Sequence, residues 1–146
     1  MPLGVNSMKA SLRWSTLPTA IAAVFAMAGL ASSQIVSIAP SSSIVSLSGT
    51  SGGSKRDPGC AGFVSETPNH TVQVTADSNL RFTLEAKGEP TLLIIGAQGQ
   101  TFCVQADRLS NGKVEIPGRW TRGNYSVFVG DRTSGRNPYK LSIAPQ

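Results

Sequence analysis

The sequence predicts an all-β protein: an antiparallel two-sheet β-sandwich, jelly-roll-like, with about eight short strands. Three observations predict it. Apolar and polar residues alternate with a period of two in one segment after another, as a strand with one buried face requires. Gly, Pro, Asn and Asp collect between those segments, where turns need them. No stretch sustains a 3.6-residue period, and the nearest helix candidate, 105–109, is one turn at most.

The strands are expected in this order. Residues 60–64 form a short first strand, followed by a turn at Thr67-Pro68-Asn69. In 71–76, Val72 and Val74 point inward and Thr71, Gln73 and Thr75 outward. The cleanest alternation is 80–86, with Leu80, Phe82 and Leu84 on one face and Arg81, Thr83 and Glu85 on the other. Lys87-Gly88-Glu89-Pro90 ends it. Residues 91–95, Thr-Leu-Leu-Ile-Ile, are apolar on both faces and read as a fully buried strand. Gly96-Ala97-Gln98-Gly99 is a hairpin turn into 101–104. Asn111-Gly112 is a second turn, and Val114 and Ile116 face inward in a strand ending at Pro117. Gly118 to Arg122 reads as a turn into the best-specified strand, where Tyr125, Val127 and Val129 share one face and Ser126 and Phe128 the other. Its sequence neighbours are expected to pair with it. A polar loop, 131–138, leads to a last strand with Tyr139, Leu141 and Ile143 inward. Phe82, Leu84, Leu92, Ile94, Tyr125, Val127 and Leu141 are the expected core.

Residues 1–33 are read as a signal peptide. Lys9 and Arg13 precede an apolar, uncharged run over 17–31, and small residues follow. The run contains Pro18 and is shorter than the roughly 20 apolar residues of a spanning helix, so no membrane span is expected after its removal. Residues 34–56 are rich in Ser and Gly and read as a leader or linker, although Ile44-Val45 and Leu47 could add a loose strand. The dibasic Lys55-Arg56 closes it as a candidate protease-sensitive point. The sandwich domain is expected over 57–146, and its location is exported, periplasmic or extracellular. The two cysteines, Cys60 and Cys103, are expected to form a disulfide in an exported chain, with two free buried thiols as the alternative.

The formal net charge is +5, and removal of 1–33 lowers it by two. That is too mild for a nucleic-acid partner, which would show a basic stripe with stacking aromatics. The single histidine, His70, has no Gly-x-Ser-x-Gly elbow to serve and is expected as an exposed residue at a strand edge. The eight carboxylates of 57–146 are scattered over turns and outward strand positions, with no pairing suited to glycoside cleavage. Two Cys and one His lack zinc-ligand spacing. No catalytic residue, cofactor or metal is therefore assigned. The candidate binding set is Arg119, Trp120 and Arg122 with Arg132 and Arg136, on the expectation that the turn before Tyr125 and the 131–138 loop share one end of the sandwich. An indole among arginines would suit an acidic polysaccharide or an acidic secreted protein. The competing reading places Trp120 in the core.

Five segments together resemble a known family. They are Pro68-Asn69-His70-Thr71-Val72-Gln73-Val74, Thr91-Leu92-Leu93-Ile94, Gly99-x-x-Phe102-Cys103, Gly123-Asn124-Tyr125-x-Val127-Phe128-Val129-Gly130 and Asn137-Pro138-Tyr139-x-Leu141-x-Ile143. Over 58–146 the chain resembles the bacterial pre-peptidase C-terminal domain, in the stand-alone exported version of cyanobacteria and proteobacteria. The resemblance implies a β-sandwich without peptidase activity of its own. Relatives often carry a run of aspartates after the cysteine matching Cys103, suited to calcium. Here the run is Val104-Gln105-Ala106-Asp107, a single carboxylate where calcium needs six to eight oxygens, so no metal site is carried over. The expected function is a non-catalytic exported binding module. The alternative is a structural or chaperone-like accessory domain of a secreted hydrolase system.

Overall fold

A computed structural model describes residues 34–146; the expected signal peptide, 1–33, lies outside the described residues. The described chain is all strand and loop, in two facing sheets that do not close into a barrel. Its strands are β1 (Ile35–Ile38), β2 (Val45–Thr50), β3 (Lys55–Arg56), β4 (Phe63–Val64), β5 (His70–Val74), β6 (Ser78–Ala86), β7 (Pro90–Gly96), β8 (Thr101–Gln105), β9 (Lys113–Trp120), β10 (Gly123–Asp131) and β11 (Pro138–Pro145). The eight expected strands correspond to β4 through β11. The other three come from the segment read as a leader.

One sheet has seven strands and the other four, in the order β2-β11-β6-β9. β10 is the centre of the larger sheet. It pairs with β5 over Gly123–Val127, with β7 over Tyr125–Asp131, and with β4 at Asp131. Between β5 and β4 the backbone of Val129 has no strand neighbour on that side. Asn69 Oδ1 accepts its N–H at 2.9 Å and Gly52 N–H donates to its carbonyl at 3.0 Å, so neither group is left unpaired. The sequence neighbours of β10 do not pair with it, contrary to expectation. β9 and β11 lie in the facing sheet, because short turns at 121–122 and a loop at 132–137 carry the chain across the core.

Three further expectations are corrected. Residues 34–56 are not a leader outside the sandwich: β1 pairs in parallel with β5, and β2 pairs antiparallel with β11, so one arm supplies an edge to each sheet. The β1–β5 pair is also an exception to the antiparallel pattern. β9 does not stop at Pro117 but runs on to Trp120. It is the edge strand of its sheet, and a proline can face outward there without removing a ladder hydrogen bond.

The main core lies between the sheets. It contains every residue expected there, with Val72, Val74, Leu80, Val114, Trp120, Val129 and Ile143. β7 is apolar on both faces because it has two cores to serve. Leu92 and Ile94 face the facing sheet, while Leu93 turns outward. There Ala61 and Val64 cover it, with Ile95, Phe128 and Cys103 packed around. A disulfide between Cys60 and Cys103 fastens that cover to β8, with the Cα atoms 6.2 Å apart. Gln105 Nε2 donates to the Cys60 carbonyl at 2.6 Å, and Thr91 Oγ1 to the Ala61 carbonyl at 2.7 Å.

A basic cleft between three loops

The five residues of the expected binding set do not meet. Arg119 and Arg122 lie beside the start of β10, and Arg132 and Arg136 follow its end. Nine extended residues separate them, roughly 25–30 Å at about 3.4 Å per residue. Trp120 is only 3% exposed. It continues the inward series Val114, Ile116 and Gly118 along β9, and its Nε1 donates to the Leu80 carbonyl at 3.2 Å. Its ring packs against Phe82, Phe102 and Tyr125, with centroids 4.6, 4.8 and 5.3 Å away. The indole is a core plug. Arg119 reaches Asp77 at 3.4 Å, and the Arg122 backbone N–H donates to the same carboxylate at 2.9 Å, so these residues brace the β5–β6 turn.

His70 is likewise not an exposed edge residue. It is 8% exposed, and its Nε2 lies 2.7 Å from the Tyr139 hydroxyl, joining β5 of one sheet to β11 of the other. Burial lowers the histidine pKa below its ordinary value. Burial also pushes the tyrosine up to about 12. A histidine held neutral inside a sandwich is a structural tie. No group of three or more His, Cys, Asp or Glu able to hold a metal ion occurs among the described residues.

The end of the sandwich that carries Arg132 holds a different arrangement. The register brings three connections together there: 87–89 between β6 and β7, 106–112 between β8 and β9, and 132–137 between β10 and β11. The first is the middle one, and backbone hydrogen bonds tie it to both others. Ala86 N–H donates to the Gly112 carbonyl at 3.0 Å, and Ala106 N–H to the Pro90 carbonyl at 2.9 Å. On the other side Arg132 N–H donates to the Glu89 carbonyl at 3.0 Å. Asp131, fully buried, anchors the same junction: its carboxylate accepts from Thr133 N–H at 2.9 Å, Thr133 Oγ1 at 2.7 Å and Glu89 N–H at 3.3 Å. Gly112, at φ +79°, approaches Ala86 so closely that any Cβ there would strike the Ala86 carbonyl.

Two adjoining hollows of about 420 and 580 Å³ result, sharing Ala86, Lys87 and Asn111. Lys87, Arg108 and Arg132 line the first together with Glu89 and Asp107. Lys113 and Lys140 line the second with Glu85. Lys113 pairs with Glu115 at 3.0 Å, whereas Lys87, Arg108, Arg132 and Lys140 make no ion pair among the described residues. Asp107 turns one oxygen to its own loop, accepting from Leu109 N–H at 2.9 Å and Ser110 N–H at 2.6 Å. What remains is a preformed concave surface with an excess of uncompensated positive charge. It suits carboxylate or other anionic groups, which arginine and lysine meet with charge-assisted hydrogen bonds. Of these cations only Arg132 belongs to the binding set expected from the sequence. Lys87, Arg108 and Lys140 stand 53 residues apart end to end, and only the strand register joins them.

The chain is 33% identical to an uncharacterized protein of Synechococcus elongatus over 137 residues, which is 90% of this chain and 95% of that protein. The chain belongs to the family of that protein. No family model matches. Among solved structures it is similar to the pre-peptidase C-terminal domain of a collagenase from Bacillus anthracis, with 14% identity, a TM-score of 0.53, and coverage of 77% of this chain and 96% of that one. That likeness shows that the chain has the fold of a pre-peptidase C-terminal domain. PliG, a periplasmic inhibitor of g-type lysozyme from Aeromonas hydrophila, matches more loosely, at 14% identity and a TM-score of 0.39 over 79% of this chain and 100% of that one.

Proposed function

We propose that this protein is a non-catalytic exported module that holds an anionic partner, an acidic polysaccharide or an acidic part of a secreted protein, in the three-loop cleft. One observation carries the reading: four cations without ion-pair partners among the described residues surround loops already locked to one another by backbone hydrogen bonds. A cleft that needs little rearrangement loses little ordering entropy on binding. Export is supported by the apolar run 17–31 behind Lys9 and Arg13, and by the Cys60–Cys103 disulfide. A second reading, an accessory domain of a secreted hydrolase, is favoured by the fold shared with a collagenase domain.

The test is a calorimetric titration of the protein with polygalacturonate and with polyglutamate at low ionic strength, dextran serving as the neutral control. Binding of at least one polyanion is expected, none of dextran, and a tenfold or greater loss in the Lys87→Glu, Arg108→Glu double variant. Indifference of the protein to both polyanions would remove the reading.

A further inference from the structure

We propose that the occupant of the cleft is a polypeptide whose acidic side chains meet Lys87, Arg108 and Arg132 and whose apolar side chain packs on Leu109. The inference rests on the cleft reading above and narrows it to one class of partner.

Leu109 is 94% exposed, the most exposed of the large apolar residues among those described. A lone leucine on a surface is ordinary. This one stands next to Arg108 of the cleft wall, on a turn that is tied down from within. The Asp107 carboxylate accepts from the backbone N–H groups of Leu109 and Ser110, Ser110 Oγ donates to the Asp107 carbonyl at 2.9 Å, and Lys113 N–H donates to the Ser110 carbonyl at 3.0 Å. An apolar side chain presented by an ordered turn loses little backbone freedom on contact, which is the physical profile of an interface anchor. A cation and an apolar anchor side by side are complementary to a chain in which acidic and apolar side chains lie close together.

An acidic polysaccharide fits less well. It would have charge alone to hold it, because the cleft offers no open aromatic face on which a sugar ring could stack: Tyr139 is buried and hydrogen-bonded to His70, and Trp120 is in the core at the opposite end.

The experiment uses the full chain and four probes: a peptide repeating Asp-Leu-Glu, a peptide of equal length and charge repeating Asp-Ser-Glu, polygalacturonate, and vesicles of phosphatidylglycerol in phosphatidylcholine. The Asp-Leu-Glu peptide is expected to bind about tenfold or more tightly than the Asp-Ser-Glu peptide, as burial of a leucine allows. Leu109→Ser is expected to abolish that advantage and leave Asp-Ser-Glu binding unchanged, while Arg108→Glu weakens both peptides. Leu109 is fully outside the core, so its replacement leaves folding intact. Equal binding of the two peptides, with loss of both in Arg108→Glu, would overturn this inference and leave the cleft reading standing. Tighter binding of polygalacturonate or of the vesicles would also overturn it. Binding of no probe, with Arg108→Glu inert, would overturn both.

Discussion

Tyr139 is the side chain on which the two sheets close. Its hydroxyl meets His70, and its ring lies so near Gly49 that a Cβ there would sit 2.6 Å from the hydroxyl oxygen and 2.8 Å from the ring carbon bearing it. Gly49→Ala is therefore expected to cost about 1–3 kcal/mol as an overpacking change, measured by denaturant unfolding. The pair also makes stability depend on pH. His70 has a lowered pKa in the fold and an ordinary one, about 6.5, once unfolded. Below about pH 6.5 the unfolded chain binds a proton that the folded chain refuses, so stability is present above that pH and lost as pH falls toward the lowered value. His70→Gln is expected to flatten this slope; an unaltered slope would assign the loss to other groups. The position was within reach of the sequence. Carrying the alternation of Val74 and Val72 back one step puts His70 inside, and carrying that of Val114 and Ile116 forward two steps, through Gly118, puts Trp120 inside. Pro117 read as the strand's end and Gly118 as the start of a turn because an edge strand tolerates residues that a central strand does not.

Among the elements, β10 holds the larger sheet and the arm β1–β2 borders both. The alternation of 57–146 was legible because most of those strands show large apolar residues to a core. The arm was not, because it covers edges: Ile35 and Ile44 are exposed, and of its large side chains only Ile38 is fully buried. Ile38→Ala is expected to cost about 2–5 kcal/mol, as for a core isoleucine, whereas a leader residue would cost nothing measurable. The disulfide acts on another element, the cover over Leu93 and Phe128. Its 43-residue separation gives about 4 kcal/mol in the chain-entropy account. The Cys60→Ser, Cys103→Ser variant is expected to melt roughly 10–20 °C lower. An unchanged melting point would show that the hydrogen bonds from Thr91 and Gln105 hold the cover alone.

At the scale of the whole molecule the two ends differ in how their cations are used. At one end the Arg119 guanidinium pairs with Asp77 and Arg122 gives that carboxylate only its backbone N–H, while at the other end Lys87, Arg108, Arg132 and Lys140 gather around two hollows without an ion pair among the described residues. No composition could show this, since the excess charge is small and its residues are far apart in sequence; the register of β6, β9, β10 and β11 gathers them. Exposed charges act over about 8 Å at physiological ionic strength, so binding of any polyanion is expected to weaken steeply with added salt. The most direct measurement is a map of backbone amide shifts while polyglutamate is titrated into the labelled protein at low salt. The account predicts that the perturbed amides lie in 86–89, 106–113, 132 and 140. Perturbations gathered around 119–124, or spread evenly over the sandwich, would contradict it.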